Sequence, residues 1–358
     1  MLNKRKGNLI MNKKRNITLD IIRIIAATLI VLHHYQQGTG IVLQHINFYG
    51  GKFNFGYVVE LFFVISGLLV YKNLEDIRRN KTLKDFFEKK FFRIVPLLAI
   101  SVIVEAFLRY WHVVIIKGEE FGYGLLDIIV NAFGLQQLGI FTVKAINQPT
   151  WYLSVLLLCY ILFYYGVRIS KRLEISCNYI FIAFAFCGAI ISTYQWNVVL
   201  VNVSIGRGLF SFFCGVILAD FVKRNSEKSF ERFILILPIL FLVLIKWKTD
   251  FINSGTFLFY TFFLWLPIVY VCVKLVSLNI TENKIVSVLG VSSFGVYVWN
   301  EPLCVVRNIV AAYLNIDMCN ITAMIIFTIL NWGVGVISYY LIEKTIDGYI
   351  KKLRGKYE

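Results

Sequence analysis

Charge is scarce in this chain. Only 16% of its 358 residues are Asp, Glu, Lys or Arg, against about 25% in soluble domains, and that shortage excludes an ordinary water-soluble fold. Cysteine offers no framework either. The seven Cys residues, at 159, 177, 187, 214, 272, 304 and 319, form no Cys-x-x-Cys pair. Neither a zinc site nor a disulfide scaffold is expected, and no metal ligand set stands out. Internal repeats and low-complexity tracts are missing. Little sequence lies outside the apolar runs, so no large appended soluble domain is expected.

Apolar residues make up 58% of the chain, and the mean hydropathy is +0.69. They fall in repeated runs of about 18–25 residues, the length that crosses roughly 30 Å of hydrocarbon as helix. The fold class expected is an all-α polytopic membrane protein with about ten transmembrane helices. The candidate spans are 17–37, 55–72, 94–116, 150–168, 178–195, 205–222, 232–248, 255–275, 285–310 and 320–342. A net charge of +16 would point to nucleic acid in a soluble chain, but here the basic residues cluster between spans. They sit before residue 16, from Lys72 to Arg93, at Arg168 to Arg172, at Lys223 to Arg232 and after residue 343. The positive-inside rule explains this spacing with both termini cytoplasmic. Nucleic acid is not expected as a partner.

The resulting organisation is a basic cytoplasmic segment over 1–16, a transmembrane domain over 17–342 and a basic cytoplasmic tail over 343–358. The N-terminus resembles a signal peptide in being basic and then apolar. However, Asp20 and Arg23 interrupt the run and no small-residue cleavage site follows, so a retained first span is expected. Residues 124–141 are long enough to cross. A crossing there would place Arg168, Lys171 and Arg172 outside, and the segment carries Asp127, Asn131, Gln136 and Gln137. A re-entrant or interfacial stretch is the preferred reading over a span.

Ionisable residues inside hydrocarbon cost free energy unless they line a polar cavity. Arg23 and His34 lie eleven residues apart in the first span. Eleven residues is three helical turns plus about 20°, so the two share a face roughly 16 Å apart along the axis. His34 suits a general base, with an ordinary pKa near about 6.5. Its neighbour His33 points about 100° away. Arg23 offers a planar fork for a phosphate or thioester-bearing donor; a salt bridge to Asp20 is its plainer role. In the second span Glu60 falls at about the depth of His34, where a carboxylate would orient the imidazole. Ser66-Gly67 reads as a close helix contact. Lys90 and Arg93, three apart before the third span, could hold a donor's phosphates or serve only as snorkelling cations. Trp151 and Tyr152 open the fourth span and form either an interfacial belt or a platform for sugar rings. Asn300-Glu301-Pro302 in the ninth span is expected to break its helix and line a cavity.

Taken in order, these segments resemble the bacterial acyltransferase-3 family of integral membrane O-acyltransferases. Leu19-Asp20-x-x-Arg23 followed by His34 is similar to the family's Arg-x10-His motif. Glu60-Leu-Phe-Phe-Val-Ile-Ser-Gly67 is similar to its Phe-Phe-x-x-Ser-Gly signature. Arg93-Ile-Val-Pro96 resembles its opening of the third helix, and Trp151-Tyr-Leu-Ser154 its Trp-x-Leu-Ser segment. The resemblance implies transfer of an acyl group, usually acetyl, from acetyl-CoA or another acyl-CoA to a hydroxyl of a surface polysaccharide or lipid-linked sugar. The acyl-CoA is a co-substrate, and no resident cofactor is implied. It implies His34 as the catalytic histidine and Arg23 as its motif partner, with Lys90 and Arg93 matching the family's donor-serving Arg-x-x-Arg pair.

The sequence departs from the family at three places. Lys90 replaces an arginine, Leu156 and Leu157 stand where many members carry a glutamate, and Asn300 stands where many carry a histidine. The expected catalytic set is His34, Arg23 and Glu60. Lys90 and Arg93 serve the donor, and Trp151, Tyr152, Asn300 and Glu301 face the acceptor. The expected location is the bacterial cytoplasmic membrane, crossed many times. The competing reading of the same intramembrane charges is a transporter or flippase for a glycan or small metabolite.

Overall fold

The computed structural model describes residues 16–43, 47–49, 54–224, 236–240, 242, 243, 256–275 and 283–354. Its α-helices of eight or more residues, in chain order, are α1 (Ile17–Thr39), α2 (Val58–Val70), α3 (Leu83–Tyr110), α4 (Leu125–Ala132), α5 (Trp151–Arg172), α6 (Cys177–Thr193), α7 (Val203–Arg224), α8 (Leu266–Leu275), α9 (Lys284–Leu314), α10 (Ile321–Ser338) and α11 (Lys344–Arg354). The two short strands, Asn197–Val198 and Val201–Asn202, pair antiparallel just before α7.

Seven helical stretches among the described residues are long and apolar enough to cross a bilayer: Ile17–Thr39, Phe55–Arg78, Leu83–Ile116, Gln148–Arg172, Val203–Arg224, Thr256–Lys274 and Ile321–Ile350. The expected span at 178–195 is the shorter apolar helix Cys177–Thr193. The one at 285–310 lies within the 31-residue helix α9. The span expected at 232–248 falls largely outside the described residues, as does the basic segment 1–16. This is an all-α polytopic membrane protein.

Residues 124–141 form no crossing helix. Their helix α4 has eight residues, about 12 Å of rise against roughly 30 Å of hydrocarbon. The polar side chains that argued against a span hold the segment together. The backbone N–H of Gly124 and that of Lys144 donate to the two oxygens of Asp127, at 2.7 and 2.8 Å. Asn131 donates to the Lys144 carbonyl at 2.9 Å and accepts from the Ile146 N–H at 3.2 Å. Gln136 donates to Thr150 Oγ1 at 3.1 Å, and the Gln137 N–H to Ser154 Oγ at 3.3 Å, fixing the stretch to the start of α5.

Helix starts follow local chemistry. Asn320 Oδ1 accepts from the Ala323 N–H at 2.8 Å and opens α10; Asn202 Oδ1 accepts from the Ile205 N–H at 3.0 Å at the start of α7. Each satisfies a donor that a helix leaves unpaired.

The chain divides into two compact units. One gathers residues up to Ile22, Tyr57–Glu88 and Val155–Lys284. Glycines set its helix crossings. A Cβ at Gly67 of α2 would overlap the Phe212 carbonyl of α7, and one at Gly215 would overlap the Val64 carbonyl of α2. Gly188 of α6 and Gly206 of α7 abut in the same way. Lipid tails are as apolar as leucine, so close backbone approach is what associates such helices. The expectation for Ser66-Gly67 is met at Gly67.

The other unit gathers Arg23–Gly56, Lys89–Ser154 and Ile285–Glu358. Here α9 and α10 cross at Gly295 and Gly335, where a Cβ on Gly295 would stand 3.0 Å from the Gly335 carbonyl. Trp332 of α10 donates its indole N–H to Thr28 Oγ1 of α1 at 3.1 Å, and Tyr35 of α1 packs against Phe327 of α10. Thus α1 and α9 both lean on α10.

Helix α9 corrects the expectation of a break at Glu301-Pro302. The helix runs from Lys284 to Leu314 with Pro302 inside it. Proline lacks the N–H that would bond the carbonyl four residues earlier, which is that of Val298. Asn147 supplies the missing donor, its Nδ2 reaching the Val298 carbonyl at 3.0 Å and Ser101 Oγ at 3.3 Å. The freed carbonyl is satisfied by a side chain instead of by unwinding.

Candidate active site

A cavity of about 250 Å³ lies within the second unit. Helix α1 contributes His33, His34, Gln37 and Gly38 to its wall, and α9 contributes Glu301, Cys304, Arg307 and Asn308. Residues three or four apart stack on one helix face, so each set is a single stripe turned inward. The start of α5 adds Trp151.

The two histidines differ in setting. His33 is buried, and its Nδ1–H donates to the Phe48 carbonyl at 2.9 Å. A carbonyl only accepts, so the proton sits on Nδ1. The ring edge lies against Gly56, where a Cβ would come within 3.2 Å of Nε2. His34 is half-buried, with Nδ1 at 2.9 Å from Gln37 Oε1. In this amide orientation Nδ1–H donates, so the neutral imidazole carries its lone pair on Nε2. The rings meet edge to face, with centroids 5.0 Å apart.

Behind the cavity wall is a charge cluster. Arg109 lies 2.7 Å from Glu105 Oε1, one helical turn earlier, and 3.2 Å from Glu301 Oε1. Glu105 is fully buried. One guanidinium thus joins two carboxylates, which permits both to stay in a low-dielectric interior. Arg307 is a second cation, 6% exposed, with its guanidinium carbon 5.1 Å from the Tyr35 ring centre and 5.6 Å from that of Phe327.

The structure brings together His34, Trp151 and Glu301 of the expected residues. Arg23 is on the same helix as His34, half-buried, about three turns earlier and outside the cavity wall. Lys90 is half-buried and Arg93 exposed, on α3. Tyr152 is buried beside the cavity, its ring edge-on to Tyr297 at 5.6 Å. Asn300 is fully buried and accepts from the Cys304 thiol at 3.4 Å.

Glu60, expected to orient the imidazole of His34, has its carboxylate engaged in the other unit. Its Oε1 accepts from Arg207 Nε at 2.6 Å with the side chain wholly buried, and Arg207 stands 5.5 Å from the Tyr57 ring centre. Within the second unit the group facing His34 Nδ1 is Gln37.

Sequence reasoning passed over Arg207, Glu105, Arg109 and Arg307. The signal was present for two of them, since Glu105 and Arg109 are four apart in an apolar run, the spacing of a helical ion pair. Arg207 and Arg307 share their candidate spans with Asp220 and Glu301, but thirteen and six residues away, not at the spacing of a helical ion pair.

A family model described as an acyltransferase domain matches residues 16–342, nearly the whole chain. No curated protein and no solved structure matches it.

Proposed function

We propose, from the premise that this chain belongs to the acyltransferase family matched over residues 16–342, that it is an O-acyltransferase moving acetyl or another acyl group from acyl-CoA to a sugar hydroxyl of a surface polysaccharide or lipid-linked saccharide. That it is a membrane acyltransferase follows from the family and from its apolar helices. The finer reading rests on one observation: a polar cavity in which His34, Trp151 and Glu301 converge.

In this reading the acceptor hydroxyl enters beside His34. The imidazole Nε2 takes the hydroxyl proton as the oxygen attacks the thioester carbonyl carbon. The C–S bond breaks, and the proton passes from the imidazolium to the departing thiolate. The products are the acylated sugar and free CoA. Gln37 selects the tautomer in which the neutral imidazole carries its lone pair on Nε2, the nitrogen that acts as the base. Trp151 offers an aromatic face for the sugar ring. Arg23, Lys90 and Arg93 serve the donor's phosphates from the cytoplasmic side, Lys90 as a point charge and the arginines as planar forks. Ten spans with both termini inside a bacterial cytoplasmic membrane complete the reading and put the acceptor side outward.

The test is acyl transfer from labelled acetyl-CoA by the purified protein, paired with NMR of the cell-surface glycan with and without the chain. The H34A variant is expected to abolish transfer at unchanged membrane levels. Wild-type activity in that variant overturns the assignment.

A further inference from the structure

Arg307 carries chemistry that acyl transfer to a neutral sugar does not use. Its side chain lines the cavity, yet it is 6% exposed. Of its five N–H groups, Nε and one on Nη2 donate to Asn308 Oδ1, at 3.2 and 2.9 Å, and one on Nη1 reaches the Tyr35 carbonyl at 3.5 Å. These are neutral acceptors. No carboxylate lies within 4.0 Å of it among the described residues, and Glu301, which lines the same cavity, is held by Arg109. Two N–H groups remain, one on each terminal nitrogen.

The guanidinium is also built into place. It stacks on Tyr35 and Phe327, and it presses on the backbone of α1 at Gly38, where a Cβ would overlap Nη2. A buried cation costs several kcal/mol of desolvation, and a pair of N–H groups on one guanidinium matches the two oxygens of a carboxylate or phosphate.

We propose that Arg307 is an anion-binding subsite in the acceptor pocket and that the hydroxyl-bearing acceptor is an acidic saccharide, carrying a carboxylate or a phosphate on the sugar that enters beside His34. The naming of this charged group as part of the acceptor rests on the acyltransferase reading above. With Trp151 against the ring and Arg307 on the charge, an acidic sugar has two fixed points, enough to select which hydroxyl meets the imidazole.

The experiment measures binding by equilibrium dialysis to the full chain in lipid nanodiscs, without acyl donor. The probes are methyl glucuronide, glucose 1-phosphate, neutral methyl glucoside and CoA. The wild type is expected to bind at least one charged sugar about tenfold or more tighter than methyl glucoside; which one identifies carboxylate or phosphate as the recognised group. R307Q is expected to lose that preference, and R307K to keep part of it. G38A displaces the guanidinium while keeping its charge and favours helix, so it is expected to lose the preference in a protein that folds normally. CoA binding is expected to be the same in all four proteins.

Equal affinity of the wild type for all three sugars overturns the proposal, as does an undiminished preference in R307Q. Loss of CoA binding in R307Q with the sugar preference intact overturns it too, by assigning the cation to the donor. Because no donor is present, a protein that binds acidic sugar but transfers no acetyl counts against the acyltransferase chemistry alone.

Discussion

At the scale of single residues, intramembrane charges divide by what holds them. The Glu60 carboxylate is fully buried against Arg207. Removing one member of such a pair strands the other, which costs about 3–5 kcal/mol. Glu60→Ala is therefore expected to lower thermal stability in detergent markedly, and Glu60→Gln less, because the amide still accepts a hydrogen bond from Arg207. Acyl transfer per folded molecule should survive in Glu60→Gln, which a stability-normalised assay checks; abolished transfer at normal stability would return Glu60 to the chemistry. This pairing was not readable beforehand. Glu60 and Arg207 are 147 residues apart, and a lone charge in an apolar run announces that it needs a partner without naming it. That Arg23 and His34 share one helix was legible, because helix arithmetic fixes their spacing, but Arg23 lies outside the cavity wall.

At the scale of elements, α9 shows how a proline persists inside a long helix. Asn147 gives Val298 the hydrogen bond that Pro302 withholds. Asn147→Leu leaves that buried carbonyl without its donor and is expected to cost about 1–3 kcal/mol. Pro302→Ala restores a backbone N–H four residues on, so the double variant is expected to recover most of that loss. A thermal-unfolding cycle over the four proteins measures the coupling; additive losses would dissolve the link. The sequence marked the position as unusual but pointed to a broken helix, because whether a side chain reaches a freed carbonyl depends on a segment 151 residues away. The crossing of α2 and α7 makes a second prediction. Gly67→Ala sets a methyl against rigid backbone at Phe212 and is expected to cost about 1–3 kcal/mol, read as reduced folded yield and a lower midpoint of unfolding. An unchanged midpoint would mean the helices can separate at no cost.

At the scale of the whole molecule, apolar length made most of the helices readable, seven of them long enough to cross among the described residues, while 124–141 has the length but forms only a short helix. Orientation rests on the clustering of basic residues instead, and it has its own test. With ten spans and a cytoplasmic N-terminus, the stretch between α9 and α10 faces outward. Cys319 lies there and is exposed. A membrane-impermeant maleimide applied to intact spheroplasts is expected to label the protein, and Cys319→Ser to remove that label. Labelling that requires lysed membranes would invert the topology.

The cavity draws its walls from residues 33–38, 148–151 and 301–308. During synthesis the two imidazoles enter the bilayer long before their counterparts on α9 exist. At about 5–20 residues per second the ribosome needs roughly 15–55 s to travel from one to the other. For that interval the first helix holds uncovered polar groups in oil, so the nascent chain depends on insertion machinery or on early neighbours to shelter them. A transcript cut short between the codons for Trp151 and Glu301 yields a membrane-embedded fragment with part of a pocket.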